Sequence, residues 1–380
     1  VDFETFKEEL KEDVKRALEE KTDSQYSVEL HTQEKMNETY DALTIKPEDS
    51  EIGVSLNTDS LYKAYSDGMD YDRIVSETVG RAESALANRP DFNIDAFKDY
   101  DKMKETLAME VVSAERNADL LETVPHKNME DMAVVYRFVV SSDVGETGSV
   151  LVTNKMLDQY GITPEQLHAD AMKNAPEVRP MEIKGMGEVL AEQMGIENAE
   201  MLGFAIPPEQ DQMLVASVKG NVHGAGVLAY EDFMDKASDR VGGSFFILPS
   251  SIHEILIIPD NGQFDLKSLE NMVREVNATT VDPVDKLTDN VYHYDAQDKV
   301  FELGEKYVER QNQKEQEAIK DEDVIDDLEA FLDAEDTPEK KPEDRASVFD
   351  KLDAAKEKAA TQPVKDAVNK AKEHGGPSIG

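Results

Sequence analysis

Phe3, Phe6, Leu10, Val14 and Leu18 recur at steps of three and four, which places them on one face of an amphipathic helix. Beyond it the period drops to two. Tyr26, Val28 and Leu30 alternate with polar residues, as do Leu43 and Ile45, and Ile52, Val54 and Leu56, so three short strands are predicted. Asn57 or Thr58 can cap a helix carrying Leu61, Tyr62 and Tyr65, with Gly68 as its stop. Ile74, Val75, Val79, Ala82 and Leu86 line one face of the next helix. A helix, a three-strand meander and two helices thus form a unit that closes before Arg89-Pro90.

After Tyr100 the pattern restarts. Met109–Ala114, Ala133–Ser141 and Ser149–Thr153 read as strands, the last two joined by a hairpin loop at Asp143–Gly148. The clearest helix start is Thr163-Pro164-Glu165-Gln166: Thr163 caps, Pro164 suits the first helical position and Gln166 completes a capping box. Helices follow at 186–194 and 231–241, with a strand at 213–218 between them. Two apolar strands flank Pro249, and Pro259–Gly262 makes a turn. A helix through Leu266, Leu269, Met272, Val273 and Val276 leads to a closing hairpin at 291–294 and 300–303. Strands and helices mix without a strict βαβ rhythm, and no repeat of 20–50 residues is visible. The expected fold is α+β, with mixed, largely antiparallel sheets and flanking helices. Two subdomains are expected, 1–90 and 91–306, followed by a low-complexity charged tail at 307–380, mostly disordered or helical.

Charge changes the functional picture more than the fold. The 380 residues hold 82 Asp and Glu against 41 Lys and Arg, a net charge of -41. A protein that tracks phosphates, or a polybasic membrane adaptor, needs the opposite sign. The absence of cysteine removes disulfides, thiolate catalysis, iron–sulfur clusters and cysteine-bound zinc. Residues 301–350 carry 18 acids and 7 bases, and Pro338, Pro342 and Pro363 punctuate the same tail. That composition buries too little apolar surface to offset chain entropy. The N-terminus mixes charges with its apolar positions and lacks a signal-peptide pattern. The greasiest window, Phe245 to Pro259, contains His253 and Glu254 and reads as core strands rather than a membrane span. A cytoplasmic protein is expected.

Few residues stand out for chemistry. Gly220–Gly226 lacks the spacing of a dinucleotide or nucleotide loop; its His223 is a weak acid, base or ligand candidate, and the plainer reading is a tight turn entering a strand at Val227–Tyr230. On an extended strand Ser251 and His253 would share one face, as two parts of a nucleophilic site would. No Gly-x-Ser-x-Gly elbow accompanies them, so a strand break satisfied by Ser250 and Ser251 is the plainer reading. The seven histidines show neither zincin spacing nor His-x-His, so no metal and no cofactor is predicted. Arg116, within Glu115–Asp119 and before Pro125-His126-Lys127, is an anion-binding candidate or part of an exposed loop. His168 reads as a surface or boundary residue. In the tail, Val324, Ile325, Leu328, Phe331 and Leu332 stand at helical spacing among acids. Such a stripe can fold into a partner's groove, dock on its own chain or serve as a solvated spacer.

Several strings resemble a known family. They are Phe3-Glu4-Thr5-Phe6-Lys7, Ser113-Ala114-Glu115-Arg116-Asn117, Ile162-Thr163-Pro164-Glu165-Gln166-Leu167 and Leu248-Pro249-Ser250-Ser251-Ile252-His253-Glu254. Val273-Arg274-Glu275-Val276-Asn277-Ala278-Thr279 and Leu287-Thr288-Asp289-Asn290-Val291-Tyr292-His293-Tyr294 join them. Over about residues 2–305 the chain resembles an uncharacterised domain-of-unknown-function family of Gram-positive gut bacteria, often carried on mobile elements. The resemblance implies a bacterial cytosolic accessory protein and brings no catalytic residue or ligand. The leading expectation is a non-enzymatic protein-interaction or regulatory factor, in a sharper version a nucleic-acid mimic. Its partner would be a protein with a basic face, with no direct nucleic-acid binding and no membrane. The alternative is a hydrolase or small-ligand-binding enzyme around His223, Ser251 and His253.

Overall fold

The computed structural model describes residues 1–35, 37–50, 53–88, 97–141, 147–201, 211 and 213–333. The chain divides into two compact units, Val1–Gly304 and Glu305–Gly380. The first is α+β, with every strand pairing antiparallel among the described residues.

It opens with α1 (Phe3–Thr22), β1 (Tyr26–Lys35), β2 (Glu38–Pro47), β3 (Val54–Asn57), α2 (Thr58–Ser66) and α3 (Tyr71–Ala87). Side chains cap each helix as its sequence suggests: Asp2 accepts from the Thr5 N–H, Asn57 from that of Ser60, and Asp70 from that of Asp72. The apolar face of α1 packs Phe6, Leu10, Val14 and Leu18 against Val28, Leu43 and Ile45 of the sheet and Ile74 and Ala82 of α3. The sheet runs β1-β2-β3, so β1 is an edge strand.

The rest of the unit holds α4 (Tyr100–Met103), β4 (Leu107–Ser113), α5 (Ala118–Thr123), β5 (His126–Met129), β6 (Met132–Ser141) and β7 (Thr147–Leu151). Then come α6 (Asn154–Tyr160), α7 (Pro164–Val178), β8 (Met181–Gly185), α8 (Met186–Met194), α9 (Ile196–Met201) and β9 (Leu214–Val218). The remaining elements are α10 (Phe233–Val241), β10 (Phe245–Leu248), β11 (Ile255–Pro259), α11 (Leu266–Thr279), β12 (Tyr292–Asp295) and β13 (Val300–Leu303). One sheet has the order β4-β6-β5, with β7 also on β6; the other runs β13-β12-β10-β11-β9-β8. A common core joins them, including Val111, Tyr136 and Phe138 with Leu214, Val227, Phe245 and Tyr292. α12 (Gly304–Asp333) leads into the second unit.

Two local expectations are corrected, at Val227–Tyr230 and around Arg116, and at Ser251 the strand-break reading is the one found. Val227–Tyr230 is not a strand: Gly224–Ala229 forms a fully buried 3-10 helix, which brings Gly224 against Ser217 and the His253 carbonyl. Ser251 and His253 do not lie on a strand; they occupy the connection between β10 and β11, where Ser251 makes an isolated bridge to Lys286. The stretch around Arg116 and His126 is not one exposed loop, because α5 and β5 form within it.

The Thr163 cap is present, its hydroxyl accepting from the Gln166 N–H at 3.2 Å. Thr163→Ala should therefore lower stability by about 0.5–2 kcal/mol. An unchanged urea midpoint would show that the hydroxyl adds nothing.

Candidate binding cleft

A cleft of about 600 Å³ opens within the first unit. One wall is Thr32, Gln33, Glu34 and Lys35 of β1; Leu120, Thr123 and Val124 at the end of α5, with Leu151 and Thr153, form another. Arg137, His223, Ile252, Val284 and Asp285 complete the lining. Alternate side chains of a strand point to opposite faces. Four consecutive β1 residues in the lining therefore mean that the strand meets the cleft with its edge.

The β1–β2 arm is tied to the body at its tip. Asn37, in the left-handed region at φ 60°, donates its backbone N–H to Asn117 Oδ1 at 2.6 Å. Its side-chain amide donates to the carbonyls of Val284 (2.9 Å) and Lys286 (3.1 Å), and Asn117 Nδ2 returns a bond to Asn37 Oδ1 at 2.8 Å. Arg116, the anion-binding candidate, donates from Nη2 to the carbonyl of Pro283 at 2.6 Å and so braces the same segment.

The floor comes from β4 and β6. Ala108 faces Arg137 and Glu110 faces Val135 across the pair, so Glu110 and Arg137 are diagonal neighbours on one face. Glu110 is 1% exposed; its Oε2 accepts from Arg137 Nε at 2.7 Å and its Oε1 from Arg179 Nη1 at 3.0 Å. His223 lies alongside, Nδ1 3.9 Å from Glu110 Oε2, too far for a hydrogen bond. Its backbone is left-handed at φ 54°, a conformation that histidine, asparagine and aspartate adopt more readily than most residues. Burial pushes the His223 pKa down; Glu110 opposes this, while Arg137, Arg179 and His253 add to it. Burial thus favours the neutral ring.

His223 and His253 are brought together, their ring centroids 5.6 Å apart. Both nitrogens of His253 are already engaged. Nδ1 accepts the His223 backbone N–H at 3.3 Å, which places the proton on Nε2, 3.2 Å from Asp285 Oδ1. Ser251 does not complete a dyad: its Oγ accepts the His253 backbone N–H at 3.0 Å. Ser217 Oγ donates to the His253 carbonyl at 2.7 Å. No group of three or more potential ligands is arranged to hold a metal ion among the described residues. No helix there is long and apolar enough to cross a membrane. The side chains of Val324, Ile325, Leu328, Phe331 and Leu332, on the last part of α12, lie outside the described residues.

A model for a family of unknown function, DUF5688, matches residues 3–296. The chain belongs to the DUF5688 family. No curated protein and no solved structure matches it. The DUF5688 span contains every residue that lines the cleft and stops short of β13 and α12. Glu110, Arg137, Arg179 and Asp285 of this DUF5688 chain were not among the sequence candidates. Glu110 and Arg137 nonetheless carry a readable signal, each being a charge inside an otherwise apolar strand.

The buried histidines predict acid sensitivity. Burial is the largest cause lowering the pKa of His223, of His168, which accepts or donates at Tyr136 Oη (2.9 Å), and of His293, where Asp260 acts in the opposite direction. The unfolded chain binds these protons near pH 6.5, the folded chain only at lower pH. Stability should be fullest above about pH 6.5 and fall as pH drops below it. A urea midpoint that declines from pH 7 to 5.5, with a shallower decline in His223→Asn, is expected. Identical slopes for the two proteins would remove His223 from this account.

Proposed function

We propose that this chain is a non-enzymatic binding protein whose cleft receives an extended polypeptide segment along β1. The observation that carries this reading is the edge-on presentation of Thr32–Lys35 to the cleft. An edge strand offers unpaired N–H and C=O groups, which an incoming strand can match while alternate side chains fill the space beside it. The cleft volume falls in the range that suits a bound ligand of a few residues. The Asn37–Asn117 tie holds the arm in place, so little ordering is needed when a segment docks.

Binding is favoured over hydrolysis at His223, Ser251 and His253 because two of those three groups are committed to local structure. Ser251 Oγ holds the connection between β10 and β11, and His253 is engaged at both nitrogens. A nucleophile requires a base within hydrogen-bond reach, and Ser251 is bonded to a backbone amide instead.

Peptide display on the full-length chain tests the proposal. Selected peptides should bind the wild type and lose at least about tenfold in affinity to Thr123→Trp, which fills the cleft from an exposed position at the end of α5. Equal binding to both proteins, or no enrichment, would count against the cleft.

A further inference from the structure

The edge of β1 accounts for one wall of the cleft but not for its floor. There, two guanidiniums share one carboxylate. Arg137, Arg179 and Glu110 are 17%, 11% and 1% exposed, and together they carry one net positive charge. A poorly solvated charge is costly unless a counter-ion neutralises it. The chain has 82 acidic residues, yet none beyond Glu110 pairs with either arginine among the described residues. Asp285, which also lines the cleft, is taken by His253.

Arg137 is the member of the cluster that reaches the cleft. Its Nε is used by Glu110 and its Nη1 makes only a 3.4 Å contact with Ser149 Oγ, so Nη2 has no partner among the described residues. His223 shares the floor. Its buried Nδ1 has no hydrogen-bond partner, and the ring makes no side-chain hydrogen bond among the described residues.

We infer that the floor of the cleft is an oxyanion subsite, in which Arg137 and His223 together take a carboxylate or phosphoryl group of the bound ligand. This rests on the cleft being a binding site and adds the chemistry of what anchors there. Guanidinium N–H groups match the planar oxygens of a carboxylate and the oxygens of a phosphate. An anion beside the imidazole favours its protonated form, which donates from Nε2 to the ligand and turns Nδ1–H toward Glu110. The groups facing His223 set the balance: Glu110 and the arriving anion favour the proton, whereas Arg137, Arg179 and His253 oppose it. Asp285 and Lys35 lie on the surrounding walls. Binding therefore takes up a proton and tightens as pH falls from about 7.5 toward 6.

Calorimetry on the full-length chain separates the sources of the anion. The probes are inorganic phosphate, a short acetylated peptide with a free C-terminal carboxylate, and the same peptide as its C-terminal amide. At least one of the first two should bind at one site, and the amide should bind more weakly than the acid if the carboxylate is the anchor. Arg137→Met should lower the affinity about tenfold or more, because a charge-assisted hydrogen bond is lost. It leaves Glu110 and Arg179 as a neutral pair, so the fold is retained; a melting curve checks this. His223→Asn keeps a residue that tolerates the left-handed backbone and should flatten the pH dependence of binding. Arg73→Met, on the exposed face of α3, should change nothing.

Failure of both anions to bind, or equal binding to Arg137→Met, would overturn the subsite. If selected peptides still lost affinity to Thr123→Trp, the cleft reading would survive that failure. If they did not, both would fall.

Discussion

Glu110→Gln should cost about 3–5 kcal/mol of stability, the penalty for removing one partner from a buried ionic cluster. Glu110 is 1% exposed and is the only carboxylate paired with Arg137 and Arg179 among the described residues. Glutamine preserves the shape, but its amide offers one acceptor oxygen where two were used. Its NH2 group then faces a guanidinium, donor against donor. The reverse substitution distinguishes this account from simple packing loss. Arg179→Met leaves one carboxylate with one guanidinium, so it should cost less than Glu110→Gln. Urea denaturation at pH 7.5 reads both. Equal losses, or a smaller loss for Glu110→Gln, would show that the cluster carries no excess positive charge.

Gly226→Ala should be nearly as damaging. A methyl group at Gly226 would overlap the carbonyl oxygen of Met109, and Glu110 Cα lies within 3.4 Å of the same point. Both atoms belong to β4, whose seven residues are all buried and paired to β6. The backbone itself would have to move, so the cost should reach the upper end of that for overpacking, about 3 kcal/mol. The same movement displaces Glu110, and peptide binding should weaken with stability. Full retention of both would mean that the 3-10 helix can slide away from β4. Gly224 meets a similar barrier in Ser217 and the His253 carbonyl.

The helices were legible because their signals are local. α1 and α11 show apolar residues at helical spacing, and the caps at Asn57 and Thr163 sit beside the helices they start. β10 and β11 were legible as apolar runs on either side of Pro249. β5 and β8 were not. Each lies at the end of its sheet order, and His126-Lys127-Asn128 and Glu182 with Lys184 give them a largely polar character. Their strand state comes from pairing with β6 and β9 rather than from their own pattern. Val227–Tyr230 was misread for the opposite reason: all of Gly224–Ala229 is buried, and a uniformly apolar run has no period to read.

The site was legible only in fragments. His223 and His253 stood out as histidines, but their proximity depends on a turn and a strand connection thirty residues apart. Ser251 and His253 would share a face only on an extended strand; the connection turns the hydroxyl onto a backbone amide, as the strand-break reading has it. Glu110 and Arg137 were visible as charges in apolar strands, whereas their pairing follows from strand register and Arg179 arrives from the end of α7. Neither is encoded locally.

Amide hydrogen exchange across β1 tests the central claim most directly. In the full-length chain, backbone amides of Thr32–Lys35 that point away from β2 should exchange readily, because β1 is an edge strand. With a display-selected peptide at saturation, those amides should slow by about tenfold or more, as expected for new strand pairing. The amides of α3, remote from the cleft lining, should not change. Protection confined to other surfaces, with Thr32–Lys35 exchanging as fast as in the free protein, would contradict the cleft as the binding site.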